Sequence, residues 1–253
     1  PGVKANDHTD KVACQSCHIP EFARVLPTKM RWDWSTAGRM KEGKPYKEKD
    51  PLGFPVYDTQ KGDFIWEKNV RPAYFWYNGT IDAISLKDPI DPTRRVAINW
   101  PVGSPADVNS RIAPFKVHEG KQPYDTVHKT LLVPHLFGPP GSEAYWQKYD
   151  WRAALESGMK QAGLPFSGEF DFVETTYVFP TTHMVAPKER SVACNECHTR
   201  ENGRMAGIAG VYLPGRDGNR VIEVLGWATV LGSLAGVLVH GIGRAVSRRR
   251  KEG

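Results

Sequence analysis

The chain has little cysteine, almost no excess charge outside one short tail, and a single long apolar run in its 253 residues. With only four cysteines, at most two disulfides could staple the fold. The formal net charge is +6, but Arg244, Arg248, Arg249, Arg250, Lys251 and Glu252 supply +4 of it, leaving +2 for the rest. That balance excludes a polyanion-binding body, and no nucleic-acid partner is expected despite a pI near 9.1. The chain also lacks an initiator methionine and a charged-then-apolar leader: it opens on Pro1. A leader already removed, or a piece of a longer protein, are the two readings, and the second is preferred.

What is there is concentrated. All four cysteines fall in two copies of Cys-x-x-Cys-His, Cys14-Gln-Ser-Cys17-His18 and Cys194-Asn-Glu-Cys197-His198. Two thiols three positions apart can each add to a vinyl group of one porphyrin, and the histidine that follows falls beneath the iron. Two disulfides, or one zinc site made from two knuckles, are the alternatives. Neither explains a histidine after both pairs, and the pairs lie far beyond a zinc-ribbon spacing of about 15 to 20 residues. The expected cofactor is therefore haem c, two covalently attached, with Cys14, Cys17, Cys194 and Cys197 as thioethers and His18 and His198 as proximal ligands.

The single apolar run, Val224 to Gly243, carries no formal charge and as a helix would span about 30 Å, the hydrocarbon core of a bilayer. The basic tail follows it. By the positive-inside rule the C-terminus is then cytoplasmic and the haem-bearing body lies on the periplasmic face of a bacterial inner membrane. Ala228, Gly232, Gly236 and His240 form one stripe along this helix, where another helix could approach. His240 reads either as a contact with a quinol-oxidising or cytochrome b-type membrane partner or as a residue snorkelling to the headgroups. The expected organisation is a periplasmic haem-binding region over 1–220, a transmembrane helix over 221–243 and a basic tail over 244–253.

Pro 20, Gly 24 and Trp 8 suit a multihaem cytochrome c fold: mostly short helices and loops wrapped around haems, with a small antiparallel β element. Phe54–Tyr57, Phe64–Glu67 and Tyr74–Tyr77 read as a meander, and Arg95–Trp100 as a further strand. Ser142–Ala162 reads as the best soluble helix, with Ser142 at its N-cap and Gly163 at its stop. Its Trp146, Tyr149, Trp151 and Leu155 read as core more than as a porphyrin face.

Eight histidines leave a surplus of ligands. With His240 set aside in the membrane segment, His8, His118, His128, His135 and His183 compete for two distal positions. His183, shortly before the second motif, is the preferred one; His8, six residues before Cys14, is placed to serve a neighbouring haem. The surplus is explained if some of these ligate haems held on polypeptide upstream or in a partner. Met30 and Met184 are thioether alternatives, but bis-histidine ligation and low potentials are expected.

The stretch from His8 to Arg24, Trp32-Asp-Trp-Ser-Thr-Ala-Gly38, and His183-Met-Val-Ala-Pro-Lys-Glu189 resemble the C-terminal part of the octahaem tetrathionate reductase family. The resemblance implies a periplasmic oxidoreductase with closely spaced haems and one lysine-ligated catalytic haem that reduces small sulfur or nitrogen oxyanions such as tetrathionate, nitrite or hydroxylamine. This chain departs from it in having two haem motifs, which places the catalytic haem upstream; neither Lys29 nor Lys188 is assigned its role. Two functional readings stand side by side: the membrane-anchored end of such a reductase, or a dihaem cytochrome that passes electrons from a quinol-oxidising partner to a periplasmic acceptor without catalysis of its own.

Overall fold

The computed structural model describes residues 7–249. Pro1 and the end of the basic tail, Arg250-Lys251-Glu252, lie outside them. The chain divides into two compact units: one runs to Ala193 and includes Gly207–Gly210, and the other takes Cys194–Ala206 and everything from Val211.

In chain order the strands and α-helices of the first unit are α1 (Cys14–His18), β1 (Thr28–Asp33), β2 (Lys47–Lys49), β3 (Pro55–Asp58), β4 (Gly62–Glu67), β5 (Ala73–Tyr77), β6 (Thr80–Ala83), β7 (Val96–Ala97), β8 (Asn99–Val102), β9 (Arg111–Asp125), α2 (Tyr145–Lys148), α3 (Trp151–Ala162) and β10 (Phe170–Pro180). Seven strands run in the order β2-β3-β4-β1-β9-β10-β7, and β5 joins the same sheet through β9. The spine is the antiparallel β9–β10 pair, in register from Phe170 opposite Asp125 to Pro180 opposite Phe115. Against the other edge of β9 lie β5, opposite Arg111–Phe115, and β1, parallel to Glu119–Lys121.

An eight-stranded sheet is more than the small β element expected from composition, and the long pair accounts for the difference. Strand β10 is mostly aromatic and β-branched, residue types that fit a pleated, half-buried surface. In β9, Pro114, Gly120 and Pro123 hide a continuous strand behind turn-forming residues. Gly120 has a packing reason: a Cβ there would lie 2.7 Å from Thr175 Oγ1 on the facing strand. Of the expected meander, β3 and β4 do pair, but β5 leaves them for β9. The Arg95–Trp100 segment divides between β7, which pairs with β10, and β8, which pairs with β6.

The expected helix over Ser142–Ala162 is broken. Tyr149 adopts a left-handed conformation (φ 55°) and closes α2, and Asp150 starts α3 by accepting a hydrogen bond from Ala153 N–H at 3.2 Å. Asp150 is a true N-cap, so the boundary falls there and not at Ser142. Gly163, left-handed at φ 67°, ends α3 as expected.

Among the described residues three apolar clusters hold this unit. Ala113, Phe115 and Val178 pack between β9 and β10, with the rings of Phe75 and Tyr77 edge-on to Phe115 at 5.5 and 5.2 Å. Leu155 and Met159 of α3 pack with Leu132, and Ile90, Val96, Tyr124, Leu131 and Val173 form the third. Phe115 and Leu155 are fully buried, each stabilising the fold by about 1.5–3 kcal/mol. Trp151 stacks on Tyr145 at 4.1 Å and meets Phe172 edge-on, as a core residue does.

The second unit contains the short helix α4 (Cys194–Cys197) and the long helix α5 (Arg220–Arg249). Helix α5 is long and apolar enough to cross a membrane by length and composition, and its described side chains are exposed. Thr229 and Ser233 donate their hydroxyls to the carbonyls of Leu225 and Thr229, both at 2.8 Å, so their polar groups are satisfied inside the helix.

Candidate haem sites

The first Cys-x-x-Cys-His is a single helical turn strapped to the start of β9. Ala13 N–H donates to the Ile112 carbonyl at 3.0 Å, and Ile112 N–H donates to Lys11 at 2.7 Å. Between the cysteines, Ser16 is fully buried and its hydroxyl donates to the same Ile112 carbonyl at 2.7 Å. Residues i and i+3 share a helix side, so anchoring Ser16 inward leaves Cys14 exposed and Cys17 half-exposed together. The end of the turn is closed by Val192 N–H, which donates to Cys17 O at 2.8 Å, and by Ala186 N–H, which donates to His18 O at 2.6 Å. Ala186 also offers its own carbonyl to His18 Nδ1 at 3.2 Å.

The second motif repeats the arrangement with other parts. His198 N–H donates to Cys194 O at 2.8 Å, and His198 Nδ1 lies 3.3 Å from the Pro214 carbonyl. The loop carrying Pro214 is pinned by Arg216 and Asp217. The Arg216 guanidinium donates to the Val211 carbonyl at 2.7 Å and to the Asp217 carboxylate, which in turn accepts from Leu213 N–H at 2.7 Å. Paired with Arg216 in this way, Asp217 is held below the usual carboxylate range. Gly215 is left-handed (φ 94°), and a Cβ on it would lie 2.9 Å from the His198 carbonyl carbon; only glycine lets the loop come this close. Cys194 is exposed and Cys197 half-exposed.

Both sites fit a covalently held porphyrin. No disulfide joins any of the four cysteines, so the thiols are available for thioethers. A carbonyl at Nδ1 assigns the proton to that nitrogen and Nε2 to a metal, the usual outer-shell arrangement of a ligating histidine. Among the described residues no group of three or more His, Cys, Asp or Glu side chains is placed to hold a metal ion, as the zinc alternative requires.

The remaining histidines differ. His183 is exposed, with Nδ1 3.3 Å from Thr182 Oγ1. It lines an apolar cavity of about 310 Å³ together with Phe22, Leu26, Lys116, Phe179 and Met184. Met184 sits in a left-handed conformation (φ 72°), its carbonyl held by Arg24 at 2.6 Å. His118, on β9, is half-buried with Nδ1 3.1 Å from the Lys29 carbonyl. His135 has Nδ1 2.9 Å from Ser157 Oγ, and its main chain bridges Ala154 and Tyr145, a structural brace. His128 is exposed in a turn closed by Asp125, and His8 is exposed just before the first motif.

Lys29 and Lys116 are the cations beside His118. Lys29 lies over Trp32, Phe64 and Trp66, with Nζ 3.8, 4.1 and 5.4 Å from the ring centres. Burial, then the charges of Lys61 and Lys116, bring its pKa down to about 8. Lys116 donates to Thr28 Oγ1 at 2.6 Å and is also lowered by burial. Sequence reasoning missed both roles, and it missed the Ala186 and Pro214 carbonyls, which leave no trace in residue type.

A turn that presents two thiols and a carbonyl-oriented imidazole, made twice on unrelated supports, defines a c-type cytochrome. The comparisons agree. A model of the family described as bacterial cytochrome c matches residues 29–201, more than half of the chain, and the chain belongs to that family. The structure is similar to the crystal structure of octaheme cytochrome c from Shewanella oneidensis, with a TM-score of 0.72 and 42% identity over 78% of this chain. The match covers 45% of that longer chain. No curated protein matches. Together these show a multihaem c-type cytochrome with a multihaem cytochrome fold. Membership implies covalent haem c, and the two cysteine pairs fit two attachment sites.

Proposed function

We propose that this chain is the membrane-proximal part of a periplasmic multihaem reductase of sulfur or nitrogen oxyanions, relaying electrons through two haems c. These are held by Cys14, Cys17 and His18, and by Cys194, Cys197 and His198. The observation that carries the reading is the shared geometry of His18 and His198, each with Nδ1 facing a main-chain carbonyl so that Nε2 serves iron. Bound haem supplies one-electron chemistry; the chain's own residues fix the rings, bring the thiols to one side and close the turns. His183 is the distal ligand we favour, because it lines an apolar cavity of about 310 Å³.

Membrane attachment rests on α5 and its basic end. We read residues 221–243 as the span and 244–253 as the cytoplasmic tail, with the haems on the periplasmic side near a quinol-oxidising or cytochrome b-type partner. The oxyanion assignment rests on the resemblance of the flanking residues, with the catalytic haem on polypeptide outside this chain. The match to less than half of an octaheme chain supports that division.

The test is a pyridine haemochrome assay on protein matured in a host competent for haem c. Two haems are expected, falling to one when Cys14 and Cys17 are both replaced by alanine. A count of zero in the unaltered protein sinks the reading. Carbonate extraction of membranes tests the anchor: the full chain should stay in the pellet, and a chain ending at Asn219 should leave it.

A further inference from the structure

We propose that His118 is an axial ligand to a haem iron, with the Lys116 ammonium as counter-charge to a propionate of that haem. This rests on the haem reading above and extends it to a residue outside both motifs. Three independent observations converge on it.

The first is the ring's hydrogen bond. His118 Nδ1 lies 3.1 Å from the Lys29 carbonyl, the arrangement found at His18 (3.2 Å, Ala186) and His198 (3.3 Å, Pro214). His135 instead turns Nδ1 towards the hydroxyl of Ser157. A main-chain carbonyl only accepts, so it fixes the proton on Nδ1 and leaves a lone pair on Nε2.

The second is rigidity. His118 stands on β9 where that strand is hydrogen-bonded on both edges, to β1 through its neighbour Glu119 and to β10 at Tyr177. Its ring packs on Tyr177 at 5.6 Å between centroids. A ligand on a paired strand holds its angle better than one on a loop. The titratable groups facing it are Lys29, Lys116 and Glu119.

The third is charge. Lys116 lies two residues along β9, on the same sheet face as His118, and opposite Phe179. It forms part of the wall of the 310 Å³ apolar cavity with Phe22, Leu26 and Phe179. Among the described residues no carboxylate forms an ion pair with it; its ammonium donates to the Thr28 hydroxyl. Lys29 by contrast has three aromatic faces to receive its charge. An ammonium desolvated against apolar walls wants an anion, and a porphyrin edge brings apolar surface and carboxylate together.

The haem comes either from one of the chain's own two motifs or from another polypeptide, and two arms separate these sources. In the two-haem protein, H118A should leave the haemochrome count at two while one ferric haem turns high-spin by EPR, with added imidazole restoring low spin. H118M should introduce a thioether-to-iron charge-transfer band at the red edge of the visible, which a merely structural histidine would not produce. This outcome assigns the haem to one of the chain's own motifs. If both haems keep their spectra, ferric haem c on a Cys-x-x-Cys-His peptide, high-spin when dilute, is titrated into the protein. Conversion to low spin at least tenfold tighter with the unaltered protein than with H118A, and weakened in K116M, assigns an outside haem. Unchanged spectra in H118A and H118M together with equal peptide binding overturn the proposal. A haem count of zero in the unaltered protein overturns the haem reading itself, and the His118 assignment with it.

Discussion

His18 and Ala186 are joined twice: Ala186 N–H donates to the His18 carbonyl at 2.6 Å, and the Ala186 carbonyl lies 3.2 Å from His18 Nδ1. Ala186 precedes Pro187, and a residue before proline is driven to extended backbone, the conformation that can present both groups to one partner. Replacing Ala186 with proline removes the N–H and leaves the His18 carbonyl without that donor. We expect a loss of about 1–3 kcal/mol in denaturant unfolding, with haem content unchanged. Ala186→Gly keeps both bonds and should lose well under half as much. Equal losses in the two variants would show that the hydrogen bond from the Ala186 N–H does not matter.

Asp125 ends β9 and ties it to the segment before β10. It is fully buried, and its carboxylate accepts from Val127 N–H at 2.9 Å, His128 N–H at 2.8 Å, and the Ser167 N–H and hydroxyl at 2.7 and 2.8 Å. Burial alone would raise its pKa, but these donors, with the Ser167 and His128 amides foremost, overcome it and hold the carboxyl below its ordinary value of 3.8. The unfolded chain therefore binds the proton first as pH falls. The stabilisation is complete above the unfolded value and is lost as pH drops through the folded one. Asp125→Ala is expected to cost about 3 kcal/mol at pH 7 and progressively less below pH 4, measured by urea unfolding at several pH values. A cost independent of pH would rule out the carboxylate as its source.

How much of this was legible in the sequence depends on whether the information sits in a side chain. The two haem motifs, the apolar helix, and β3 and β4 can be read directly, because residue type and spacing are the signal. Strand β9, one half of the sheet's spine, was not. Gly120 in β9 answers to the contact with Thr175 across the sheet, and Pro114 and Pro123 look like turns until partner strands are known. Strand β10 carried a readable signal in Phe172, Val173, Thr175, Thr176, Tyr177 and Val178, whose types favour strand. The start of α3 is ambiguous in the sequence because Ser142 and Asp150 are both good caps, and only the left-handed Tyr149 decides between them. At the sites, the motifs name Cys and His, whereas the carbonyls that orient the imidazoles come from Ala186 and Pro214, whose side chains take no part.

Gly215 makes the second site sensitive to a single methyl group. Its φ of 94° is strained for any residue with a Cβ, and that Cβ would lie 2.9 Å from the His198 carbonyl carbon and 3.0 Å from Thr199 N. Gly215→Ala should push the Pro214 carbonyl away from His198 Nδ1 at a cost of about 1–3 kcal/mol. The expected signature is confined to one haem: altered EPR g-values and a shifted midpoint potential for the haem at Cys194 and Cys197, with the other unchanged. If both haems shift together, the effect is not local to Pro214.

Lys29 gives a pH dependence of the same sign as that of Asp125, in an alkaline window. Its pKa of about 8 in the folded chain lies below the ordinary 10.5, chiefly through burial, then through repulsion by Lys61 and Lys116. Below pH 8 both folded and unfolded chains carry the proton, and the fold bears the full penalty of a desolvated ammonium. Between about 8 and 10.5 the folded chain gives up the proton while the unfolded chain retains it, so stability should rise with pH across that window. The rings of Trp32, Phe64 and Trp66 favour the ammonium and oppose this, and solvent at the partly exposed amine screens it, which leaves a net effect of about 1 kcal/mol. Lys29→Met should therefore be more stable than the unaltered protein at pH 7, with the gap closing by pH 10.5. Guanidinium unfolding of both proteins across pH 6–11 measures it directly. A gap that widens with rising pH would mean that the aromatic faces outweigh desolvation and hold Lys29 charged.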